Sequence, residues 1–446
     1  MRIVIYAILP PMKEKASLNF KVEGGVKLHG AVETKKSKNA AVSLLCASLL
    51  NKGQTTLKKV PKIEEVSRII EVLQSIGMRI SWRGGDLILN PGKINLLKIN
   101  RESAGKTRSV IMMIGPLIHI SKNFFLPHAS GCKLGERIVS PHFYALENLG
   151  VKISTHSSNY EVSAKKLHPS EIVLYEMGDT VTENALMAAA KIPGKTIIKF
   201  ASSNYMTQDL CHFLTALGVK IEGIGTSTLV VYGKKDINKN VVFEMSEDPI
   251  EAMFFLTSAI VTNSSITIRK CPIDFLELEL LKLSKMGFKF KMSKVYKGAN
   301  GFVNLVDIKT LTSRLKALPE KIHSLPYPGI NIDNLPFFAL IATQAEGETL
   351  IHDWVYENRA VYYTELEKLG ATVMLADPHR VFIKGKTILK PAEMATPPAL
   401  RPAAIILIGM LAAKGKSILK NVYSINRGYE DLARRLASLG AHIKVR

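Results

Sequence analysis

The sequence predicts an α/β fold of two similar domains, each built from three helix–strand units, with apolar helices packed inside and sheets outside. Three observations predict it. A phrase consisting of an apolar helical tail, a hydrophobic residue, glycine and a short alternating strand occurs six times, its glycines roughly 70 residues apart, which marks a repeated supersecondary unit. Each unit carries a helix that is apolar nearly all round and must therefore be buried on every side. After most of these helices comes Gly-x-Thr/Ser and a β-rich run, about 25 residues ahead of the repeated phrase.

Taken in order, the chain opens on a short apolar run, 3–9, after Arg2. It is too short to span a bilayer, and Pro10-Pro11 follows without a small-residue cleavage site. Residues 1–19 read as an N-terminal extension, with Met12 as an alternative initiator. The apolar helices are predicted over 39–50, 109–120, 183–192, 249–261, 336–345 and 401–413. The strand starts that follow are Gly53-Gln54-Thr55, Gly194-Lys195-Thr196, Gly347-Glu348-Thr349 and Gly415-Lys416-Ser417, with looser copies at Ser121-Lys122-Asn123 and Asn263-Ser264-Ser265. The repeated phrase closes each unit: Ile76-Gly77-Met78, Leu149-Gly150-Val151, Leu217-Gly218-Val219, Met286-Gly287-Phe288, Leu369-Gly370-Ala371 and Leu439-Gly440-Ala441. A glycine closing one helix before an alternating strand explains each copy. An open solenoid of six units would need polar capping repeats, and the sequence has none.

The starts of the buried helices carry chemistry. Lys38-Asn39 opens the first, Arg108 immediately precedes the second, Thr182 caps the third, and Arg401-Pro402 opens the last. Asp248-Pro249-Ile250-Glu251 has an N-cap acid, proline at N1 and glutamate at N3. Several such N-termini pointing into one cleft would make it anion-binding.

Composition narrows the function. The formal charge of +22 suits anionic partners, but the lysines are spread along the chain and no aromatic RNA-binding motif accompanies them. A solvated lysine-rich surface and phosphorylated small molecules are therefore expected, with no stable nucleic-acid partner and no membrane insertion. Cys46, Cys132, Cys211 and Cys271 lie far apart without a CxxC, which argues against disulfides or a zinc site and fits a reducing cytoplasm. Cys46, inside an apolar run, reads as core.

His128-Ala129-Ser130-Gly131-Cys132-Lys133-Leu134-Gly135-Glu136-Arg137 reads as a loop, because its glycines permit tight backbone angles. A thiol near cations has a lowered pKa and can give or take a proton near neutral pH. An exposed loop that happens to hold a cysteine is the plain alternative.

These residues, together with Lys38-Asn39-Ala40-Ala41, Tyr356-Glu357-Asn358-Arg359 and Asn426-Arg427-Gly428-Tyr429-Glu430, resemble the enolpyruvyl transferases, and among them the branch whose acceptor is UDP-N-acetylglucosamine. The resemblance runs from about residue 20 to the C-terminus. It implies a two-domain inside-out α/β barrel whose chain crosses over near 34–38 and 244–248, with one domain at 38–246 and the other formed by 20–37 plus 247–446. The implied reaction moves the enolpyruvyl group of phosphoenolpyruvate onto a sugar hydroxyl, with no metal or organic cofactor, in a cytoplasmic monomer or weak oligomer. Residue by residue, Cys132 matches the loop cysteine that protonates or transiently bonds phosphoenolpyruvate, and Asp333, in Pro328-Gly329-Ile330-Asn331-Ile332-Asp333, matches the base. Lys38, Arg137 and Arg427 match the residues that hold phosphoenolpyruvate, while Arg359 and Arg401 match further cleft arginines. Arg108 matches a residue on the nucleotide diphosphate side and Asn39 one at the sugar, and His142 and Val355 are expected among the substrate-binding residues. Without the resemblance, Asp333 reads as a helix N-cap, Arg359 and Arg427 as ion pairs between the halves, and His128 and His142 as packing groups. The chain departs from the family pattern at Ser140, Glu176 and Gly178, on the nucleotide side, and by one residue within Pro397-Pro398-Ala399.

Overall fold

The computed structural model describes residues 18–128 and 138–446. The described residues form six sheets. Five share one wiring, in which a short edge strand runs parallel to a long strand that continues into two antiparallel neighbours. The sixth contains Asn123–Pro127, Asn159–Ser163 and Lys152–Thr155, all antiparallel.

The apolar helices belong to the core. Every residue of Pro249–Val261 and of Leu335–Ala342 is buried. Such helices have no face for water, so only other helices and the inner faces of sheets can surround them. Lys38–Ala47, Arg108–Met113 and Asp179–Ala189 touch one another, and so do Pro249–Val261, Leu335–Ala342 and Leu400–Ala412. The strands alternate: in Phe20–Gly24 the residues Phe20, Val22 and Gly24 turn inward while the side chains between them are partly or fully exposed. Cys46, Cys211 and Cys271 are all buried free thiols.

The six glycines of the repeated phrase all have left-handed φ: 116° at Gly77, 87° at Gly150, 95° at Gly218 and Gly287, 84° at Gly370 and 89° at Gly440. A side chain there would meet its own backbone, which is why glycine recurs. Asn263, at φ 48°, takes the left-handed turn that Gly194, Gly347 and Gly415 take in other units.

The chain start is woven into its end. Phe20–Gly24 lies antiparallel between Gly415–Lys420 and His442–Val445. Ala31–Glu33 joins Thr267–Pro272, and Val241–Glu244 joins Thr55–Lys58. Residues 35–37 and 246–248 pass side by side. Lys36 bridges to Glu247, Ser37 N–H donates to Ser246 C=O at 2.9 Å, and Asp248 N–H donates to Lys35 C=O at 2.8 Å. The buried Lys36 Nζ sits 2.9 Å from Glu244 and 2.7 Å from Glu247.

Several helix bounds differ from the sequence reading. The second apolar segment is a 3-10 stretch, Arg108–Met113, and one α turn, Ile114–Leu117. Pro116 has no N–H to give, and Gly115 N–H donates to Asn184 Oδ1 at 2.7 Å instead of continuing the ladder. The third helix begins at Asp179, so Thr182 lies inside it and is no cap. Its hydroxyl donates to Gly178 C=O at 2.7 Å and accepts from Ser202 N–H at 2.9 Å. The first helix ends at Ala47 in a 3-10 turn, Ser48–Leu50, and the fifth stops at Ala342 because the strand Ala345–His352 follows at once. No helix among the described residues is long and apolar enough to cross a membrane.

Candidate active site

Two helix N-termini meet at Asp248. Ser37 Oγ accepts from Ala40 N–H at 3.1 Å and so caps Lys38–Ala47. Asp248 caps Pro249–Val261, its Oδ1 accepting from Ile250 N–H at 2.9 Å and Glu251 N–H at 3.3 Å. Its second oxygen takes Lys38 N–H at 3.3 Å. One carboxylate thus serves the positive ends of two helices and fixes Lys38 between them.

Asp333 faces this point from a turn in which its N–H donates to Asn331 Oδ1 at 2.9 Å. It is not the cap of Leu335–Ala342: Asn334 holds that position, without a side-chain capping bond. The carboxylate is given to arginines instead. Arg401, in the first turn of Leu400–Ala412 and 5% exposed, donates to Asp333 Oδ2 from Nε at 3.3 Å and Nη2 at 3.2 Å, and to Tyr429 OH from Nη1 at 2.8 Å. Arg359 Nη1 stands 4.0 Å from Asp333 Oδ1. Arg359 is 1% exposed and is clamped by Asp353 at 2.5 Å and 2.8 Å and by Ile332 C=O at 2.8 Å, while Tyr363 OH also donates to Asp353 at 2.5 Å. Its close partner is thus a neighbour in the chain, and it is no ion pair between distant halves. Arg427 is such a pair: its Nη2 donates to Glu65 Oε2 at 2.8 Å, 362 positions away in sequence.

The charges are tightly coupled. Burial lowers the Lys38 pKa most and Arg401 lowers it further; Glu65, Asp333 and Asp248 oppose them without restoring the usual lysine value. Burial would raise the Glu65 carboxyl, but Lys38, Arg427 and the Thr107 hydroxyl outweigh it and hold it below the usual carboxylate range. Burial opposes the charge on Arg401, yet Tyr429, Asp333 and Asp248 keep it firmly protonated.

Lys38, Asp333, Arg359, Arg401 and Arg427 are therefore one connected group. Asn39, next to Lys38, donates to Tyr205 OH at 3.2 Å. Arg108 and His142 form a second group. His142 is buried between Asn184, 3.2 Å from Nδ1, and Thr180, 3.4 Å from Nε2. Burial and the nearby Arg108 charge push it down to about 4, so it is neutral at physiological pH. His128 packs its ring 4.2 Å from that of Tyr160. Val355 is 42% exposed, and the ring of its neighbour Tyr356 lies 4.6 Å from the Arg359 guanidinium carbon. Cys132 and Arg137 lie outside the described residues.

Sequence reasoning missed Glu65, Asp353, the sharing of Asp248 and the role of Tyr429. Glu65 had a signal. It shares the buried face of Glu64–Ser75 with Ile69, Val72 and Leu73, and a carboxylate on an apolar stripe needs a reason. Asp353 had none, since its partners are set by how a turn folds back.

The arrangement holds a carboxylate among fixed cations beside two helix N-termini. It can seat a small anion and keep a base next to it without reorganising.

Comparisons with known proteins cover nearly the whole chain. The sequence profile of the EPSP synthase (3-phosphoshikimate 1-carboxyvinyltransferase) family matches residues 22–436. UDP-N-acetylglucosamine 1-carboxyvinyltransferase of Borreliella burgdorferi is 32% identical over 424 residues, 95% of this chain and 98% of the relative. The protein of the same name from Treponema denticola is 33% identical over 427 residues, with 95% and 98% covered. In fold, the enolpyruvyl transferase NikO from Streptomyces tendae superposes with a TM-score of 0.84 at 22% identity, covering 96% of this chain and 99% of that one. EPSP synthase from Acinetobacter baumannii gives 0.75 at 16% identity, covering 96% and 100%. With nearly the whole chain matched in sequence and in fold, it belongs to the EPSP synthase family of enolpyruvyl transferases.

Proposed function

We propose that this chain transfers the enolpyruvyl group of phosphoenolpyruvate to the 3-hydroxyl of UDP-N-acetylglucosamine and releases phosphate, the first committed step of peptidoglycan synthesis. The observation that carries the reading is the Asp333 carboxylate set between Arg401 and Arg359 and beside Lys38. The relatives that match over nearly their full length, and bear that acceptor in their names, support the choice of acceptor.

In this reading Asp333 takes the proton of the sugar hydroxyl as its oxygen bonds C2 of phosphoenolpyruvate, and Cys132 supplies a proton to C3. In the second stage the bond from C2 to the phosphate oxygen breaks, C3 gives back a proton, and phosphate leaves. Lys38, Arg137 and Arg427 hold the phosphate and carboxylate. Arg359 and Arg401 fix the base. Arg108 and neutral His142 face the nucleotide, and Asn39 and Val355 the sugar. Side chains supply all of this chemistry.

We read the scaffold as an inside-out barrel of six repeats, with domains 38–246 and 20–37 plus 247–446. The two helix trios and the paired crossing segments support it. The scattered buried thiols fit a cytoplasmic enzyme.

A related reading, with a different nucleotide or sugar acceptor, has one observation in its favour. The Glu176 carboxylate lies 3.1 Å from where a Cβ on Gly178, the N-cap of Asp179–Ala189, would stand, so an acid occupies a helix N-terminus otherwise suited to phosphate. Burial raises its pKa. Phosphate release from phosphoenolpyruvate, measured with a panel of acceptors, decides between them: UDP-N-acetylglucosamine should trigger it, and release with another acceptor alone would overturn the first reading. Asp333→Asn should lower kcat by about 100-fold or more with substrate affinity changed only a few-fold. Full activity in that variant would remove the assigned base.

A further inference from the structure

Glu65 belongs to none of the motifs that point to the reaction, yet its carboxylate joins segments far apart in the chain. It is 7% exposed. Its Oε2 accepts from Arg427 Nη2 at 2.8 Å, and its Oε1 accepts from Thr107 Oγ1 at 2.5 Å and Ser109 Oγ at 3.3 Å. Thr107 in turn caps Arg108–Met113, so the same carboxylate touches the start of the segment that carries Arg108. A surface ion pair contributes little, but a buried one fixes its partners, because either charge left alone is costly to keep out of water. Glu64, one residue earlier, pairs instead with Arg68 of its own helix and so ties no distant segment.

Resting on the reaction proposed above, we propose that Glu65 is a positioning residue: its carboxylate anchors Arg427, from the far end of the chain, next to Lys38, so that both cations are held in place and charged before phosphoenolpyruvate arrives. The two cations come from different ends of the chain, and without an anion between them they would repel one another. The groups facing Lys38 are Glu65 from Glu64–Ser75, Arg401 from Leu400–Ala412, Asp333 from the 331–334 turn and Asp248 at the start of Pro249–Val261. Those facing Glu65 are Lys38, Arg427, Thr107 and Ser109. Arg401 and burial both push Lys38 toward its neutral form, and Glu65 is the largest influence against them. A neutral residue at 65 should therefore let Lys38 lose its proton at lower pH.

The test compares Glu65→Gln and Glu65→Asp with the wild type. Glu65→Gln should lower kcat by about 30-fold with the KM for phosphoenolpyruvate changed less than about threefold, and should move the alkaline limb of the rate profile down by about one pH unit. Glu65→Asp should keep the limb in place and recover most of kcat. A role in folding alone would change the amount of active enzyme and leave the limb where it was. An unmoved limb, or a Glu65→Gln kcat within about threefold of wild type, overturns the proposal. A second measurement does not depend on turnover: the pH dependence of reductive methylation of Lys38, followed by peptide mass spectrometry. Lys38 should react at lower pH in Glu65→Gln than in the wild type or Glu65→Asp, and identical profiles overturn the proposal. Should the wild type release no phosphate with any acceptor, the reaction assignment fails while the methylation profile still decides the role of Glu65.

Discussion

Asp209 shows how far one buried group can set the behaviour of this protein. Fully buried, it accepts from Ser246 N–H at 3.1 Å and from Ser246 Oγ at 3.0 Å. Burial pushes its pKa up to about 7, with the Ser246 bonds and the Lys36 charge offsetting part of the effect. The folded state therefore keeps a proton that the unfolded chain gives up near pH 4, and between those values stability falls as pH rises. Each tenfold difference in proton affinity between the two states is worth about 1.4 kcal/mol, so the whole dependence is on the order of a few kcal/mol. Asp209→Asn removes the titrating group, so denaturant melts at pH 5 and pH 7.5 should differ less in the variant than in the wild type. An equal difference in both would show that Asp209 does not carry this dependence. The same scale explains what was legible at the candidate site. Position at a helix start pointed to Lys38 and Arg401, and the family resemblance added Asp333, Arg359 and Arg427, but neither pointed to Glu65, whose meaning depends on an arginine 362 positions away.

At the level of elements, three units repeat a close approach that the sequence did not announce. A Cβ added to Gly385 would stand 2.1 Å from Ala345 O and 2.6 Å from Ala342 O. One on Gly233 would stand 1.9 Å from Ile192 O and 2.5 Å from Ala189 O, and one on Gly24 2.1 Å from Met410 O and 2.3 Å from Ala413 O. In each case a strand glycine lies against carbonyls at the end of a buried helix and just past it, and only hydrogen fits. Gly385→Ala should destabilise the protein by about 1–3 kcal/mol or more, since backbone on both sides must move. Gly85→Ala, whose nearest contact would be Lys59 Cα at 3.9 Å, should stay within about 0.5 kcal/mol. Equal melting of the two variants would mean the approach is easily relieved. The repeated-phrase glycines were readable because a left-handed C-cap follows from local chain chemistry. These three were not, because the constraint comes from another element.

For the molecule as a whole, the crossing of 34–37 past 245–248 is the decisive feature, and Lys36 is its centre. It is buried between Glu244 and Glu247, and Glu244 also takes Lys59 Nζ at 3.0 Å. Lys36→Met would leave two acids without their shared cation and should cost about 3–5 kcal/mol in denaturant melts. A loss below about 1 kcal/mol would show that the acids find other partners or protons. What the sequence determined by itself is what depends on short stretches of chain: which helices are wholly apolar, where left-handed glycines end them, how Asp248 caps its helix, and which basic residues accompany their starts. Periodicity and backbone angles carry that information within a few residues. Only the tertiary structure decided that Phe20–Gly24 completes the sheet of the chain's other end, that Asp248 serves two helices, that Asp333 is given to arginines, and that Glu65 meets Arg427. Those are choices of partner between segments hundreds of positions apart, and a buried charge takes the partner that packing brings to it.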